Sequence, residues 1–171
     1  KFPNTEFSDI RGNVQTRLKK LDEGDFDATI FSLAGIKRMD MELDYEFLDF
    51  MISAPSQGVV AVASRVDDVK IKEIITQINH KETQICIEIE RNFLNALEGG
   101  CTAPIGAIAK YNDGFVRFNG KLNSLDGSKT INIVEEFEYN ETENYGEEFA
   151  EVILDKGGRE MMQEIKKQIK S

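Results

Sequence analysis

The chain has 171 residues, 40% of them hydrophobic and 30% charged, with a formal net charge of −10 at pH 7. That size is enough for one ordinary domain or two small ones with a real core, and the composition is that of a folded chain. The acidic balance argues against general nucleic-acid binding and against anionic membrane surfaces, and no apolar run approaches the roughly 20 residues of a membrane helix.

The opening residues, KFPNTEFSDI, contain no apolar stretch of the secretory kind, and a start at Lys1 rather than Met suggests a chain that begins inside a larger protein. Residues 5–10 alternate and run into Arg-Gly-Asn, which predicts a short strand and a turn. Val14, Leu18 and Leu21 fall at helical spacing over 13–22, with Asn13 as N-cap and Gly24 near the end. Residues 27–34 (DATIFSLA) read as a buried strand, and a second short helix follows over 35–39. Strand, helix, strand, helix with short links is the pattern of an α/β layer with parallel strands. The acidic and aromatic stretch 40–53 reads as a helix or an irregular connection, and 54–58 (APSQG) as a break.

Residues 59–64 form an apolar run expected to be a strand buried on both faces. Asp67-Asp68 precedes an apolar helix over 69–79, and a second helix covers 81–97. Cys86 shares an apolar stripe with Ile89, Phe93 and Leu97 and is expected in the core. His80 lies at the joint of the two helices and reads as a capping or packing residue. From 105 the period changes to two: IGAIAKY, Asn112-Asp113-Gly114 and FVRFNGKL predict a hairpin, and 129–139 a third strand. Helices over 144–155 and 158–169, separated by Lys156-Gly157-Gly158, close the chain. The expected fold class is therefore α/β. A partial α/β domain is followed by a small α+β domain, whose three-stranded antiparallel sheet is covered by helices. The strands of the first part lack evident partners, which again suggests a piece of something larger.

Three places could carry chemistry. Arg11-Gly12-Asn13, with Arg17 one turn later, sets guanidinium groups at a helix start, where unpaired N–H groups attract anions. Spacing leaves Arg17 either a solvated surface residue or a bidentate carboxylate binder, and the same choice holds for Arg38 after the second predicted strand. Glu98-Gly99-Gly100-Cys101 ends a helix and leaves Cys101 either an accessible nucleophile or a small buried hydrophobe. Two cysteines and one histidine make no disulfide or zinc framework, and cytoplasmic residence follows as the expectation. The acidic run 135–148 reads as a solvated strand end and helix start, and no metal site is expected.

Taken together, these residues resemble the porphobilinogen deaminase (hydroxymethylbilane synthase) family. The resemblance is carried by Arg11-Gly12-Asn13-Val14, Thr16-Arg17-Leu18, Phe26-Asp27-Ala28, Ala34-Gly35-Ile36-Lys37-Arg38, Gln57-Gly58, Ser64-Arg65 with Asp67-Asp68, and Glu90-Arg91 through Leu97-Glu98-Gly99-Gly100-Cys101 to Pro104-Ile105-Gly106. It implies a transferase of tetrapyrrole and heme biosynthesis that joins four porphobilinogen units head to tail with loss of ammonia. The growing chain is built on a dipyrromethane cofactor held through a thioether at Cys101. It implies that Arg11, Arg17 and Arg38 bind the cofactor's carboxylates, that the backbone approaches it closely at Gly35, and that Gln57 lies on an inter-domain hinge. It further implies a periplasmic-binding-protein-like partial second domain over 1–53, a hinge and crossover segment over 54–78 belonging to a first domain, and a C-terminal domain over 79–171. Partners would be porphobilinogen and pyrrole-chain intermediates, with neither nucleic acid nor membrane, in a monomeric full-length enzyme.

No catalytic residue is expected in this stretch, because the family's Lys-Asp motif does not occur in it, so the isolated chain is expected to be inactive and to lack the cofactor. The sequence departs from the family pattern at Ser53-Ala54-Pro55-Ser56, where Pro-Ala-x-Gly is usual, and at Ala63-Ser64-Arg65, where Glu-Cys-Arg is frequent. The competing readings are a non-catalytic carboxylate-binding module of periplasmic-binding type, which needs no thiol at 101, and a thiol enzyme, for which no partnered base is evident.

Overall fold

Extended chain becomes a strand only where it finds a ladder partner, and this separates the two halves of the molecule. The computed structural model describes residues 4–100 and 102–170, with the side chain of Lys170 excepted. The chain divides into two compact units, Lys1–Phe47 and Leu48–Ser171.

In the first unit, α1 spans Val14–Asp22 and α2 spans Leu33–Arg38. Both begin as capping chemistry dictates. The Asn13 side chain accepts from the Thr16 amide at 2.9 Å, and the Ser32 hydroxyl from the Gly35 amide at 3.3 Å. The strands anticipated at 5–10 and 27–34 are not ladders among the described residues, and neither is the one at 59–64 in the second unit. Their apolar side chains Phe7, Ile30, Val60 and Val62 stay exposed, so these segments gain neither cross-strand bonds nor burial. Leu33 and Ala34, expected in a strand, instead begin α2 behind the Ser32 cap. Among the described residues of this unit Ile36 is the buried hydrophobic side chain, and α1 buries none. The expected parallel layer is thus reduced to two capped helices joined by extended chain.

The second unit follows the sequence pattern closely. It contains α3 (Val69–Thr76), α4 (Lys81–Ala96), β1 (Ile105–Asn112), β2 (Phe115–Asn123), β3 (Thr130–Glu138), α5 (Tyr145–Ile153) and α6 (Arg159–Lys170). Asp68 caps α3 and His80 caps α4, its Nδ1 accepting from the Thr83 amide at 3.3 Å. The strands form one antiparallel sheet in the order β1-β2-β3. Asn112 pairs with Phe115, leaving a two-residue loop in which Asp113 and Gly114 take φ of 48° and 90°. Left-handed values at both central positions define the type I′ turn that matches strand twist. A π-turn over Leu154–Gly158, with Gly157 at φ 99°, redirects the chain from α5 into α6.

The core lies between one face of the sheet and the helices. Ile85, Ile89 and Phe93 of α4 and Leu97 at its C-cap recur every four residues and share a cluster with Val116, Phe118 and Leu122 of β2. Phe149, Ala150 and Ile153 of α5 and Met161, Met162 and Ile165 of α6 complete the cluster. Phe93 and Phe118 meet edge to face with centroids 5.2 Å apart. Gly146 brings α5 onto the α4 backbone, since a Cβ there would lie 2.4 Å from the Ile89 carbonyl oxygen.

Candidate functional site

The arginines of the first unit are arranged by α1 and its neighbouring loops. Gly12 takes φ 127°, and a Cβ on it would lie 2.8 Å from Thr16, so only glycine admits this entry to α1. Arg17 projects from the first turn of α1 and is half-buried. Its Nη2 donates to Thr29 Oγ1 at 2.8 Å and to the Ile30 carbonyl at 2.7 Å, and its guanidinium lies 4.5 Å from the centroid of the Phe31 ring. Neutral acceptors and a ring face therefore orient the cation without neutralising it. Its Nε is buried with no partner among the described residues, the kind of orphan donor that calls for an explanation.

Arg11 is exposed at the entry to α1, its own carbonyl approached by Lys20 Nζ at 3.5 Å. Arg38 is exposed in the last turn of α2, where a cation is favoured by the helix dipole. Among the described residues, none of these three guanidinium groups is paired with a carboxylate. Asp9, Asp22 and Asp27 lie in the same stretch of sequence, and Lys19 is paired with Glu23 at 3.4 Å. Gly35 is half-buried within α2, and a Cβ there would meet only the Ser32 hydroxyl at 3.2 Å.

In the second unit, α4 ends with its last carbonyls satisfied. The Glu98 amide bonds to the Asn95 carbonyl at 2.9 Å and the Gly99 amide to the Leu94 carbonyl at 3.0 Å, with Glu98 at φ 52°. This is the Schellman arrangement, with a glutamate where glycine is usual. Glu98 also pairs with Lys166 on α6, which lowers its carboxyl pKa through a hydrogen bond and the neighbouring charge. The two glycines that follow differ. A Cβ on Gly99 would lie 2.3 Å from Ile105 Cδ1 and 2.8 Å from Leu94 Cδ1, whereas Gly100 is exposed and a Cβ there would meet nothing within 4 Å among the described residues. Gly99 is thus a packing glycine, and among the described residues only Gly100 of the pair leaves room beside the chain. Cys101, the expected anchor, lies outside the described residues; Thr102 after it is exposed.

Gln57 is exposed in the turn over 55–58, between Ser56 at φ 63° and Gly58 at φ 81°. Ser56 stands where the family pattern has glycine, and its backbone keeps the left-handed conformation that glycine favours.

The sequence reading overlooked how the free edge of β1 is closed. The Ala107 amide donates to the Ser53 carbonyl at 3.0 Å and the Ala109 amide to Glu90 Oε1 at 2.8 Å. Glu90 Oε2 also accepts from the Ser56 amide at 2.6 Å. Glu90 is buried, and burial raises its carboxyl pKa against the lowering effect of the Ala109 and Ser56 amides. Cys86, expected in the core, is half-buried and packs on its margin; burial raises its thiol pKa most, with Glu90 and Glu82 adding to the shift. One signal was available: a carboxylate at 90 falls on the same stripe as Cys86, Phe93 and Leu97.

Comparison with known proteins finds two family matches along the chain. The family described as porphobilinogen deaminase, dipyromethane cofactor binding domain, matches residues 1–73. The family described as porphobilinogen deaminase, C-terminal domain, matches residues 84–155. A protein named porphobilinogen deaminase from Chlorobium phaeovibrioides is 37% identical over 172 residues, covering 96% of this chain and 55% of its own length. Proteins of the same name from Chlorobaculum parvum and Syntrophomonas wolfei are 36% and 33% identical over 176 and 168 residues, with the same coverage. The chain therefore spans about 55% of the length of these curated relatives.

Proposed function

The chain belongs to the porphobilinogen deaminase family, and on that premise we propose that it forms the cofactor-holding part of a transferase that assembles porphobilinogen into hydroxymethylbilane. In this reading residues 1–53 are part of an α/β domain of periplasmic-binding-protein type, 54–78 are the hinge and crossover, and 79–171 carry the cofactor anchor. The extended segments 5–10, 27–32 and 59–64 take their ladder partners from the rest of a protein of the relatives' length. The protein works in the cytoplasm as a monomer, on porphobilinogen and pyrrole-chain intermediates.

One observation carries the proposal: every arginine among the described residues of the first unit, Arg11, Arg17 and Arg38, is without a carboxylate partner, in a chain of net charge −10. Cations left unpaired amid surplus acid suit an anionic ligand, and pyrroles bearing acetate and propionate groups are such a ligand. The orphan Nε of Arg17 fits the same assignment. Dipyrromethane, when bound, supplies the primer from which the pyrrole chain grows.

The residues of this chain have separate tasks. The Cys101 sulfur would hold the cofactor through a thioether: the thiol gives up its proton, and a C–S bond to the methylene carbon of a porphobilinogen unit replaces the C–N bond of its aminomethyl group, the nitrogen leaving as ammonia. Arg17, pre-oriented by Thr29, Ile30 and Phe31, fixes a carboxylate in direction as well as in charge. Arg11 and Arg38 neutralise further acid groups, and Gly35 lets the backbone come close. Gln57 lies on the hinge. The isolated chain contains no Lys-Asp motif and leaves porphobilinogen unconsumed. The test is ammonia release by a protein of the relatives' length that carries this sequence. Arg17→Gln is expected to slow it at least about a hundredfold, and Lys37→Gln less than about threefold. Equal effects of the two changes would remove the basis of the assignment.

A further inference from the structure

Residues 52–56 lie along the free edge of β1 and are held there at successive points. Ser53 accepts from the Ala107 amide at 3.0 Å. Gly106 permits close approach, since a Cβ on it would lie 2.9 Å from the Ile52 carbonyl oxygen. Glu90 then spans the gap, its two carboxylate oxygens taking the Ser56 amide at 2.6 Å and the Ala109 amide at 2.8 Å. Ser56 pays for this position with φ 63°, and a left-handed residue other than glycine persists only where its surroundings hold it. Immediately beyond, Gln57 is exposed and Gly58 takes φ 81°.

We infer that Glu90 is a positioning residue that clamps residues 53–56 to the edge of β1, so that bending of the connection is confined to Gln57 and Gly58. The inference takes the hinge location from the function proposed above. Its physical basis is the geometry of one buried carboxylate serving two amides far apart in sequence. Among the described residues the edge of β1 carries no further strand, so the Ala109 amide has no ladder partner to replace that carboxylate. The same helix, α4, ends in the Schellman turn that leads to Cys101. The clamp therefore refers the hinge to the element that sets out the anchor loop.

Amide hydrogen exchange on the 171-residue chain tests this without substrate or cofactor. In the unaltered protein the Ser56 amide is expected to exchange at least about tenfold more slowly than that of Gln57. In Glu90→Gln, whose amide has a single acceptor oxygen, exchange at Ser56 and Ala109, the two amides that Glu90 holds, is expected to rise about tenfold, with Val116 and Phe118 in β2 changing less than about twofold. Ser56→Gly keeps the donor and removes the left-handed cost, and is expected to retain protection at position 56. Uniform acceleration that includes β2 would make Glu90 a general support of the fold, and free exchange at Ser56 in the unaltered protein would dispose of the clamp whatever the variants do. A failed clamp leaves the Cys101 tether untouched, and a failed tether leaves the exchange pattern standing.

Discussion

Adding one methyl group at each of three glycines, one packed against the middle of α4 and two just beyond its end, separates packing from access. At Gly146 a Cβ would meet backbone, the Ile89 carbonyl oxygen at 2.4 Å and the Phe93 amide nitrogen at 2.7 Å. Ordinary carbon contacts lie near 3.5–4.0 Å, so α4 and α5 must move apart, and Gly146→Ala is expected to cost about 3 kcal/mol. At Gly99 the new methyl meets the ends of two side chains, Ile105 Cδ1 at 2.3 Å and Leu94 Cδ1 at 2.8 Å. These ends can turn aside, but Ile105 is 5% exposed and packed in the core, so the cost is about 1–2 kcal/mol. At Gly100 nothing among the described residues lies within 4 Å and φ is not left-handed, and Gly100→Ala is expected to be within about 0.5 kcal/mol of neutral. Urea unfolding followed by far-UV circular dichroism measures all three, and about 4 °C of Tm accompanies each kcal/mol in a unit of this size. A Gly100→Ala cost equal to that of Gly99→Ala would refute the division of labour between the two glycines.

Phe93, fully buried on α4 and edge to face with Phe118, is the centre of the C-terminal core, and Phe93→Ala is expected to lower unfolding free energy by about 3–5 kcal/mol in the same assay. Asp126, in the β2–β3 loop, is held at a pKa of about 2 by the Ser124 hydroxyl and the Ser128 amide and hydroxyl. A depressed carboxyl stabilises the turn above the ordinary Asp range and loses that contribution as pH falls toward the lowered value, so Ser124→Ala should move its titration upward in a carboxyl NMR experiment. The Cys86 thiol is raised mainly by burial, although the Tyr111 amide opposes the shift. Its alkylation at pH 8 is expected to be at least about tenfold slower than that of an unstructured thiol, and denaturant should abolish the difference.

How far the fold was legible depended on where each signal lay. The hairpin at Asn112-Asp113-Gly114, the α4 stripe and the caps Asn13, Asp68 and His80 are local: a few residues fix the geometry, and the structure follows them. The segments 5–10, 27–34 and 59–64 carry strand-forming residues, but a strand is completed by its neighbour, and no partner sits beside them among the described residues. Glu90 was visible as a carboxylate on an apolar stripe. Its partners were not, because Ser56 and Ala109 are distant in sequence and the bonds run to backbone amides, which have no residue-specific signature. At the candidate site, Arg17 was legible from its place in the first turn, while the Thr29, Ile30 and Phe31 cradle required the fold of the loop. The Glu98-Gly99-Gly100 run announced a helix end, but not that the first glycine serves packing and the second meets no neighbour among the described residues.

The most direct measurement is intact mass spectrometry of a protein of the relatives' length carrying this sequence, purified after expression, beside its Cys101→Ser variant. A mass increment of two linked pyrrole units that maps to Cys101 and vanishes in the variant, together with loss of hydroxymethylbilane formation, is the expected result. An unmodified cysteine in an active protein, or full activity with serine at 101, would contradict the account.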